Sequence, residues 1–465
     1  MIRVHDILAG THGRLFGSIS RNDLLNRVVH DSREVGEGDL FVALKGERTD
    51  GHRFVPDALE AGAGAVLVNE DWFRRYDLGD LPVIVVPDTL AALQSLATYW
   101  RSLFNEIQVV GITGSIGKSS TKEVISAILS QRYTVTRSRK SYNNEIGLPL
   151  SVLEVTPDTD VVVLEMGGAY AFGEISQLAE IARPTIGVVT NVSHSHLGRM
   201  GSLDAIAETK AELVESLPPD GLALLNIDDP RVRAMADRAS CRVVYYGTDP
   251  QADYYATDLQ SHGMDGISFT LRHADIQSYV SVPLMGRHSV HMALVGIAVG
   301  TELGMSLADI LRGFQRPDVQ LRLLLLPGVN GSTILDDSYN ANPASCIAAL
   351  NLLVELDATR RVAVFGDMYE LGHYEEEGHR IVGGRAAETI DALYTIGPRA
   401  RVIAAEAVKA RPSLPVEMFD DKRALEDALR RDLRAGDLVL IKGSRGLELE
   451  TLVSALRVET TGETD

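Results

Sequence analysis

The sequence has little cysteine, no long apolar run and a deficit of positive charge. Its two cysteines, Cys241 and Cys346, are isolated in a chain of 465 residues, so they offer neither a disulfide framework nor a metal-binding spacing. No apolar run reaches the roughly 18 residues that a membrane span needs. The first residues, MIRVHDILAG, lack the pattern of a signal peptide. We therefore expect a cytoplasmic protein in a reducing compartment.

The charge balance limits the function classes. The chain has 45 Lys and Arg against 64 Asp and Glu, a formal net charge of −19. General nucleic-acid binding needs a basic surface that releases counterions, so this balance argues against it. A local basic pocket for a phosphorylated small molecule stays open. The apolar fraction of 45% and charged fraction of 23% are typical of globular proteins and exclude wholesale disorder.

Strand patterns alternate with helix patterns along most of the chain. This alternation predicts an α/β fold with mostly parallel sheets covered by helices on both faces. We predict three domains, at residues 1–104, 105–317 and 318–465. Strand-like alternation at residues 252–271 predicts a small antiparallel patch in the second domain. The third domain resembles a dinucleotide-binding fold but lacks the G-x-G-x-x-G fingerprint, so it implies no NAD site.

The strongest local signal is G-I-T-G-S-I-G-K-S-S at residues 111–120, between a predicted strand and a predicted helix. Gly114 and Gly117 let backbone N–H groups converge on a polyphosphate, and the helix adds the positive end of its dipole. Lys118 is expected to reach the β- and γ-phosphates, and Ser119 to bind Mg²⁺. The spacing is shorter than the standard Walker pattern. A chance glycine turn is the alternative, which the strand–loop–helix context disfavours.

A carboxylate and two histidines follow buried strands. Glu165 ends the apolar run V-V-V-L-E, at the edge where open α/β sheets bind ligands, and it is a candidate Mg²⁺ ligand. An ordinary solvated glutamate is the alternative. His194 and His196 would share one face if the preceding strand continued. Zinc would need further ligands that are not nearby, so we reject a zinc site; polar loop histidines are the alternative.

Lys210 falls on the apolar side of a helical pattern, with Ile206, Ala207 and Val214. A desolvated lysine has a lowered pKa and becomes nucleophilic. When neutral it can capture CO₂ as a carbamate and serve as an extra carboxylate for a metal. From composition alone, a lysine whose amine reaches solvent is the more common case.

Taken in order, the motifs resemble the Mur ligase family over nearly the whole chain. H-D-S-R-E-V-G-E-G-D-L-F-V-A-L-K-G, within residues 30–52, is similar to the family's UDP-sugar-binding segment. S-Y-N-N-E-I-G-L-P-L (141–150), D-D-S-Y-N-A-N-P (336–343), G-D-M-Y-E-L-G (366–372) and K-G-S-R (442–445) resemble signatures of one branch. That branch joins D-alanyl-D-alanine to UDP-N-acetylmuramoyl-tripeptide in peptidoglycan precursor synthesis.

The resemblance implies three domains: an N-terminal UDP-substrate-binding domain, a central P-loop ATPase domain and a C-terminal Rossmann-like domain. It implies an ATP-dependent ligase that forms an amide bond through an acyl phosphate and releases ADP and phosphate. The implied cofactors are ATP and two Mg²⁺ ions, with Lys210 carbamylated. We expect a monomer that acts on small-molecule substrates, with no nucleic-acid or membrane partner.

The resemblance also implies four sets of site residues. The catalytic set is Lys118, Glu165, His196 and Lys210, and the metal ligands are Ser119, Glu165, His196 and Lys210. The nucleotide set is Gly114, Ser115, Gly117, Lys118, Ser119, Ser120, Arg322, Asp337 and Asn340. The substrate set is Asp31, Ser32, Arg33, Lys45, Gly46, Asn143, Asn144, Ser444 and Arg445.

Three departures from the family pattern keep alternatives open. G-R-H-S-V-H-M carries Ser289 and Met292 where the family usually has asparagines, the first of which faces adenine. Q-L-R replaces P-G-R at the hinge, although Arg322 is kept, and the loop after Glu165 is about one residue longer. One alternative is a ligase with the same chemistry on another carboxylate or amine in a secondary pathway. Another is an inactive nucleotide-binding regulator, against which the retained catalytic set argues.

Overall fold

The computed structural model describes residues 1–46, 49–76, 79–139, 141–168, 171–316 and 324–458. Within these ranges, three large sheets follow one another along the chain. Helices alternate with the strands, as the sequence pattern predicts, and the class is α/β. The domain boundaries after residues 104 and 317 stay predictions, and residues 317 and 318 lie outside the described ranges.

The N-terminal sheet is small and mixed. Its segment contains β1 (Ile2–Arg3), α1 (Val4–Thr11), β2 (Arg14–Phe16), β3 (Leu24–Leu25), β4 (Val28–Val29), β5 (Leu40–Val42), α2 (Val55–Glu60), β6 (Ala65–Asn69), α3 (Glu70–Phe73), β7 (Val83–Val86) and α4 (Thr89–Ser102). The described strands of this sheet run in the order β2-β7-β6-β5-β4, and β1 pairs separately with β3. Strand β2 is antiparallel to β7, and the other pairs are parallel.

The central sheet carries the phosphate loop. Its segment contains β8 (Gln108–Thr113), α5 (Lys118–Leu129), β9 (Val135–Arg137), α6 (Gly147–Val152), β10 (Val161–Glu165), α7 (Glu174–Ala182), β11 (Ile186–Val189), α8 (Leu197–Met200), α9 (Leu203–Glu215), β12 (Leu222–Asn226), α10 (Pro230–Ala234), β13 (Arg242–Gly247), β14 (Tyr254–Ser261), β15 (Ile267–His273), β16 (Ile276–Val282), α11 (Val290–Glu302) and α12 (Leu307–Phe314). The described strands run in the order β16-β15-β14-β13-β12-β11-β8-β10-β9.

Strands β8 to β14 of this sheet pair in parallel. The predicted antiparallel patch is the other end of the same sheet, where β14, β15 and β16 pair antiparallel. The inner strands β8, β10, β11 and β12 are apolar because helices cover both of their faces. Their carboxyl ends therefore meet at one edge, where the candidate residues lie.

The C-terminal sheet is doubly wound. Its segment contains β17 (Leu324–Pro327), β18 (Thr333–Asp337), α13 (Pro343–Glu355), β19 (Arg360–Gly366), α14 (Glu375–Thr389), β20 (Ala392–Ile396), α15 (Arg401–Ala410), β21 (Val416–Phe419), α16 (Lys422–Asp432), β22 (Asp437–Lys442) and α17 (Glu450–Leu456). The described strands run in the order β17-β18-β22-β19-β20-β21. All pairs are parallel except that of β17 with β18.

The N-terminal and central sheets share one apolar core. Ile7 of α1 and Leu96 of α4 belong to the same cluster of buried side chains as Leu148 of α6 and Leu178 of α7. The buried guanidinium of Arg101 adds a polar tie, because its Nε donates to the carbonyl of Ala182 at 2.9 Å. The C-terminal sheet has its own clusters on its two faces. Across the part of the chain that the structure describes, no helix combines the length and apolarity needed to traverse a bilayer.

Candidate active site

A cleft of about 410 Å³ lies between the central and C-terminal sheets. It opens at the carboxyl ends of parallel strands, the usual ligand position in α/β proteins. The predicted site residues that line it are Ser115, Gly117, Lys118, Ser119, Ser120, Asn143, Asn144, Glu165, His196, Lys210, Asp337 and Asn340. Residues that are far apart in the sequence thus meet in one cavity.

The loop between β8 and α5 is held by the segment that follows β11. The backbone N–H of Ile116 donates to the side-chain oxygen of Asn191 at 3.0 Å. Gly114 has a φ of +136°, and a Cβ there would lie 2.0 Å from the hydroxyl of Thr190. Only glycine fits this position, and this explains why the loop has a glycine here.

Helix α5 begins at Lys118, directly after Gly117 in a left-handed conformation with a φ of +85°. Gly117 has no side chain that could cap the helix. The positive end of the helix dipole is therefore available to an anion in the cleft. The Lys118 amine donates to the carbonyl of Gly114 at 2.7 Å. The lysine therefore lies over its own loop, where phosphates of a nucleotide would bind.

Glu165 is 1% exposed and is not the solvated residue of the alternative interpretation. One of its carboxylate oxygens accepts from the Ser119 hydroxyl at 2.6 Å, and the other accepts from the Asn143 amide at 2.7 Å. A hydroxyl and a carboxylate that meet in one buried position fit the oxygen ligands that Mg²⁺ prefers. Among the described residues, no group of three His, Cys, Asp or Glu side chains is arranged to hold a metal. A metal here would therefore need further ligands, such as phosphates.

Lys210 is 3% exposed, on the same side of α9 as the buried Ile206 and Val214. Its amine does not reach solvent, contrary to the more common case for a lysine. It donates to the carbonyl of Gly168 at 2.5 Å. Burial, and secondarily the nearby charge of Lys118, lower the pKa of this amine to about 7.

The two histidines do not share a strand face, because β11 already ends at Val189. His194 stacks on the ring of Tyr374, with ring centroids 4.0 Å apart. His196 has a φ of +60°, and its Nδ1 lies 2.5 Å from a carboxylate oxygen of Glu370. Both histidines thus contact the C-terminal part of the chain.

The C-terminal wall of the cleft is built around a buried lysine. The Lys442 amine, on a residue that is 2% exposed, donates to the Asp337 carboxylate at 2.5 Å and to the carbonyl of Asn340 at 2.9 Å. These contacts fix the loop that follows β18 and place Asp337 and Asn340 at the cleft. Arg322, the third nucleotide residue predicted here, lies outside the described residues.

Ser444 and Arg445 support this wall without lining the cleft. The buried Ser444 hydroxyl accepts from the backbone N–H of Tyr369 at 2.8 Å. Arg445 pairs with Glu450 and lies 5.2 Å from the ring centroid of Tyr339. Their predicted substrate contact stays a prediction.

The other predicted substrate residues lie in the N-terminal part, outside the cleft. A 3₁₀ turn runs over Ser32–Glu34, and the Asp31 carboxylate accepts from the Arg33 guanidinium at 2.6 Å. That hydrogen bond is the main reason that the pKa of Asp31 falls to about 2. Lys45 pairs with Asp50 in an isolated β-bridge, and Gly46 follows it.

Some residues at the site were not assigned from the sequence. Asn191 orients the phosphate loop, Glu370 contacts His196, and Asn342 donates from its side chain to the Ser195 hydroxyl at 2.6 Å. Glu370 lies inside the G-D-M-Y-E-L-G motif, which was the available signal. Two positions depart from the family pattern in the segment G-R-H-S-V-H-M. Met292 lines the cleft, whereas the Ser289 hydroxyl is buried and donates to the carbonyl of Met285 at 2.6 Å.

Comparisons with known proteins agree with this architecture. Three family models match in order: the Mur ligase family catalytic domain at residues 25–101, the Mur ligase middle domain at 112–300 and the Mur ligase glutamate ligase domain at 321–445. The UDP-N-acetylmuramoyl-tripeptide–D-alanyl-D-alanine ligase of Bacillus subtilis is 37% identical, over 97% of this chain and 98% of its own. Its Escherichia coli counterpart is 36% identical, over 96% and 97%.

Solved structures show the same similarity. A crystal structure of MurF from Acinetobacter baumannii superposes with a TM-score of 0.85 at 29% identity, covering 97% of this chain and 98% of that one. The MurF ligase from Thermotoga maritima in complex with ADP has a TM-score of 0.77 at 29% identity, covering 92% and 96%. With all three domain models matched and relatives aligned over nearly their full length, this chain belongs to the Mur ligase family.

Proposed function

We propose that this protein is an ATP-dependent ligase that joins D-alanyl-D-alanine to UDP-N-acetylmuramoyl-tripeptide through an acyl phosphate. The observation that carries the proposal is the single cleft in which the phosphate loop, the buried Glu165 and the buried Lys210 meet. The names of the Bacillus subtilis and Escherichia coli relatives support the choice of substrates. We also propose that the enzyme acts as a monomer.

Activation of the carboxylate requires stabilisation of charge on the transferred phosphoryl group. The N–H groups of residues 114–117 and the dipole of α5 bind the ATP phosphates. The Lys118 amine exchanges its contact with Gly114 for phosphate oxygens and stabilises negative charge that develops during transfer. The substrate carboxylate oxygen forms a bond to the γ-phosphorus while the bond from that phosphorus to ADP breaks.

Ser119, Glu165, His196 and a carbamylated Lys210 would hold Mg²⁺ in this cleft. When bound, the metal supplies positive charge to the phosphate oxygens. The lowered pKa of Lys210, about 7, leaves a large neutral fraction of this amine at neutral pH. A neutral amine can add to CO₂ and lose a proton, which gives the carbamate that the resemblance implies.

The three-part architecture accounts for residues that lie outside the cleft. Asp31, Ser32, Arg33 and Lys45 bind the UDP end of the substrate, and the peptide end extends to the cleft. The C-terminal part brings the acceptor amine and covers the acyl phosphate, which limits its hydrolysis by water. The amine then attacks the acyl carbon, and phosphate leaves.

The test is ligation by the purified full-length protein with ATP, Mg²⁺, UDP-N-acetylmuramoyl-tripeptide and D-alanyl-D-alanine. Phosphate release and the amide product are measured together, the product by mass spectrometry. We expect Lys118→Ala to lower kcat by at least roughly 100-fold, the scale for loss of one charge-stabilising group. Lys409→Ala, at an exposed position on α15 paired with Glu406, serves as the control and should keep full activity.

The acceptor specificity is tested in the same assay with a panel of amines. Product formed with another amine, but not with D-alanyl-D-alanine, would replace the proposed acceptor. Absence of any amide product or phosphate release would instead favour the nucleotide-binding regulator.

A further inference from the structure

Two loops meet where the central and C-terminal parts touch, and we call residues 194–200 and 369–374 the clasp. All three oxygens of Glu370, one on the backbone and two on the carboxylate, contact the opposite loop. Its carbonyl accepts from the backbone N–H of Gly198 at 2.7 Å. One carboxylate oxygen lies 2.5 Å from His196 Nδ1, and the other lies 3.0 Å from the Arg199 guanidinium. One residue of the C-terminal part therefore contacts the cleft histidine and two residues that follow it closely in the sequence.

The close approach of the clasp needs glycine on both sides. A Cβ on Gly198 would lie 2.9 Å from the backbone nitrogen of Gly372, and one on Gly372 would lie 2.7 Å from the Cα of Gly198. His196 and Glu370 both have positive φ, +60° and +64°. This conformation is unfavourable for residues with a side chain, and it persists only where surrounding contacts hold it. The geometry of the clasp is thus specified from both loops.

We propose that Glu370 is a positioning residue for His196, so that docking of the C-terminal part fixes the ring and its tautomer. The inference rests on the proposed function, in which His196 faces Mg²⁺. Because a carboxylate accepts only, the proton of a neutral His196 ring lies on Nδ1. The lone pair of Nε2 is then left for a ligand in the cleft that His196 lines.

Each oxygen of the Glu370 carboxylate has its own partner on the opposite loop, His196 for one and Arg199 for the other. The Arg199 contact also holds the second oxygen, so the carboxylate plane is fixed relative to the ring. Docking and ligand binding at His196 then assist each other, because coupling between two equilibria is reciprocal.

The test combines a spectroscopic and a binding measurement on the full-length protein. Nitrogen NMR of ¹⁵N-histidine, assigned with His196→Gln, reports which ring nitrogen of His196 carries the proton. We expect the Nδ1–H tautomer in the wild type and a mixture in Glu370→Ala. Titration of Mn²⁺ in the presence of ADP, followed by EPR, should show affinity about 10- to 100-fold weaker in Glu370→Ala, the usual effect of losing such a partner.

Two further variants separate positioning from general support of the junction. Glu370→Gln keeps an oxygen that can accept from Nδ1–H, so it should recover the tautomer and part of the Mn²⁺ affinity. Tyr374→Ala removes the ring stacked on His194 but leaves Glu370 in place. We expect it to keep the Nδ1–H tautomer and to weaken Mn²⁺ binding far less than Glu370→Ala.

An Nε2–H tautomer in the wild type, or equal losses of Mn²⁺ affinity in Glu370→Ala and Tyr374→Ala, would overturn the inference. Ligation by the wild type is measured separately. Failure of ligation contradicts the proposed function, while the tautomer and the Mn²⁺ affinities still decide the role of Glu370.

Discussion

Burial of Lys210 affects both the stability of the fold and the reactivity of its amine. Lys210 is buried on the apolar side of α9, and its amine donates to the carbonyl of Gly168. Protonation at this position is unfavourable because the charge has lost its water. The same desolvation that destabilises the fold makes the amine a better nucleophile near neutral pH.

Replacement of this amine should change how stability depends on pH. Burial lowers the pKa of the Lys210 amine from the ordinary 10.5 to about 7, so the unfolded chain binds more protons between these pH values. The free energy of unfolding of the wild type should therefore rise with pH above 7, relative to Lys210→Met, by at most about 1.4 kcal/mol per pH unit. Urea unfolding at pH 7 to 9.5, in buffer free of CO₂, measures this difference.

Lys409→Met is the matched control, because that side chain is 75% exposed. Its unfolding curves should parallel those of the wild type across the same pH range. Parallel curves for Lys210→Met as well would contradict the lowered pKa of Lys210.

At the residue scale, local sequence pattern singled out three residues that the structure brings into the cleft. Lys118 follows a glycine loop between a strand and a helix, Glu165 ends an apolar strand, and Lys210 interrupts an apolar helix face. Glu370 was not predictable in the same way. It lies 174 positions from His196, and only docking of separate sheets brings the two together.

At the element scale, a strand was easier to recognise in the sequence when more of its residues are buried. The inner strands β8, β10 and β11 are apolar because both faces are covered. The sequence predicted a strand directly before the phosphate loop, where β8 lies, and the apolar run V-V-V-L-E is β10. Edge strand β16 lies outside residues 252–271, where the sequence predicted the antiparallel patch. Its exposed positions include Gln277 and Ser281, so the apolar signal of a strand is weak there.

Helix α7 begins with a carboxylate supplied by another helix. Glu212 of α9 accepts from the backbone N–H groups of Gly173 at 2.7 Å and Ser176 at 3.0 Å. We expect Glu212→Gln to lower the free energy of unfolding by about 1–2 kcal/mol, since it removes one acceptor and a charge at the positive end of the helix. Urea unfolding at pH 7 measures the change.

Glu208→Gln on the same helix provides the comparison for α7. Glu208 is 56% exposed and pairs with Arg238 at the surface, so its loss should change stability by only about 0.5 kcal/mol. Equal effects of the two substitutions would show that the charge of Glu212, rather than its capping position, determines the result.

At the scale of the whole molecule, two junctions differ in chemistry. The N-terminal and central parts share an apolar core through α4, which favours their movement as one body. The central and C-terminal parts meet at the clasp through an ion pair, hydrogen bonds and a ring stack. Polar interfaces of this kind open more readily than apolar cores. The C-terminal part is therefore the one expected to move when substrates enter and products leave.

Gly372→Ala should shift this molecule toward an open arrangement. The added Cβ would lie 2.7 Å from the Cα of Gly198, at a backbone φ of +56°, so the two loops must separate. We expect a larger radius of gyration by small-angle X-ray scattering and a lower kcat. Gly384→Ala, within α14, is the control, because its Cβ meets no atom within 4 Å and alanine favours a helix. The closed contact would be irrelevant to catalysis if Gly372→Ala opened the molecule and still kept the kcat of Gly384→Ala.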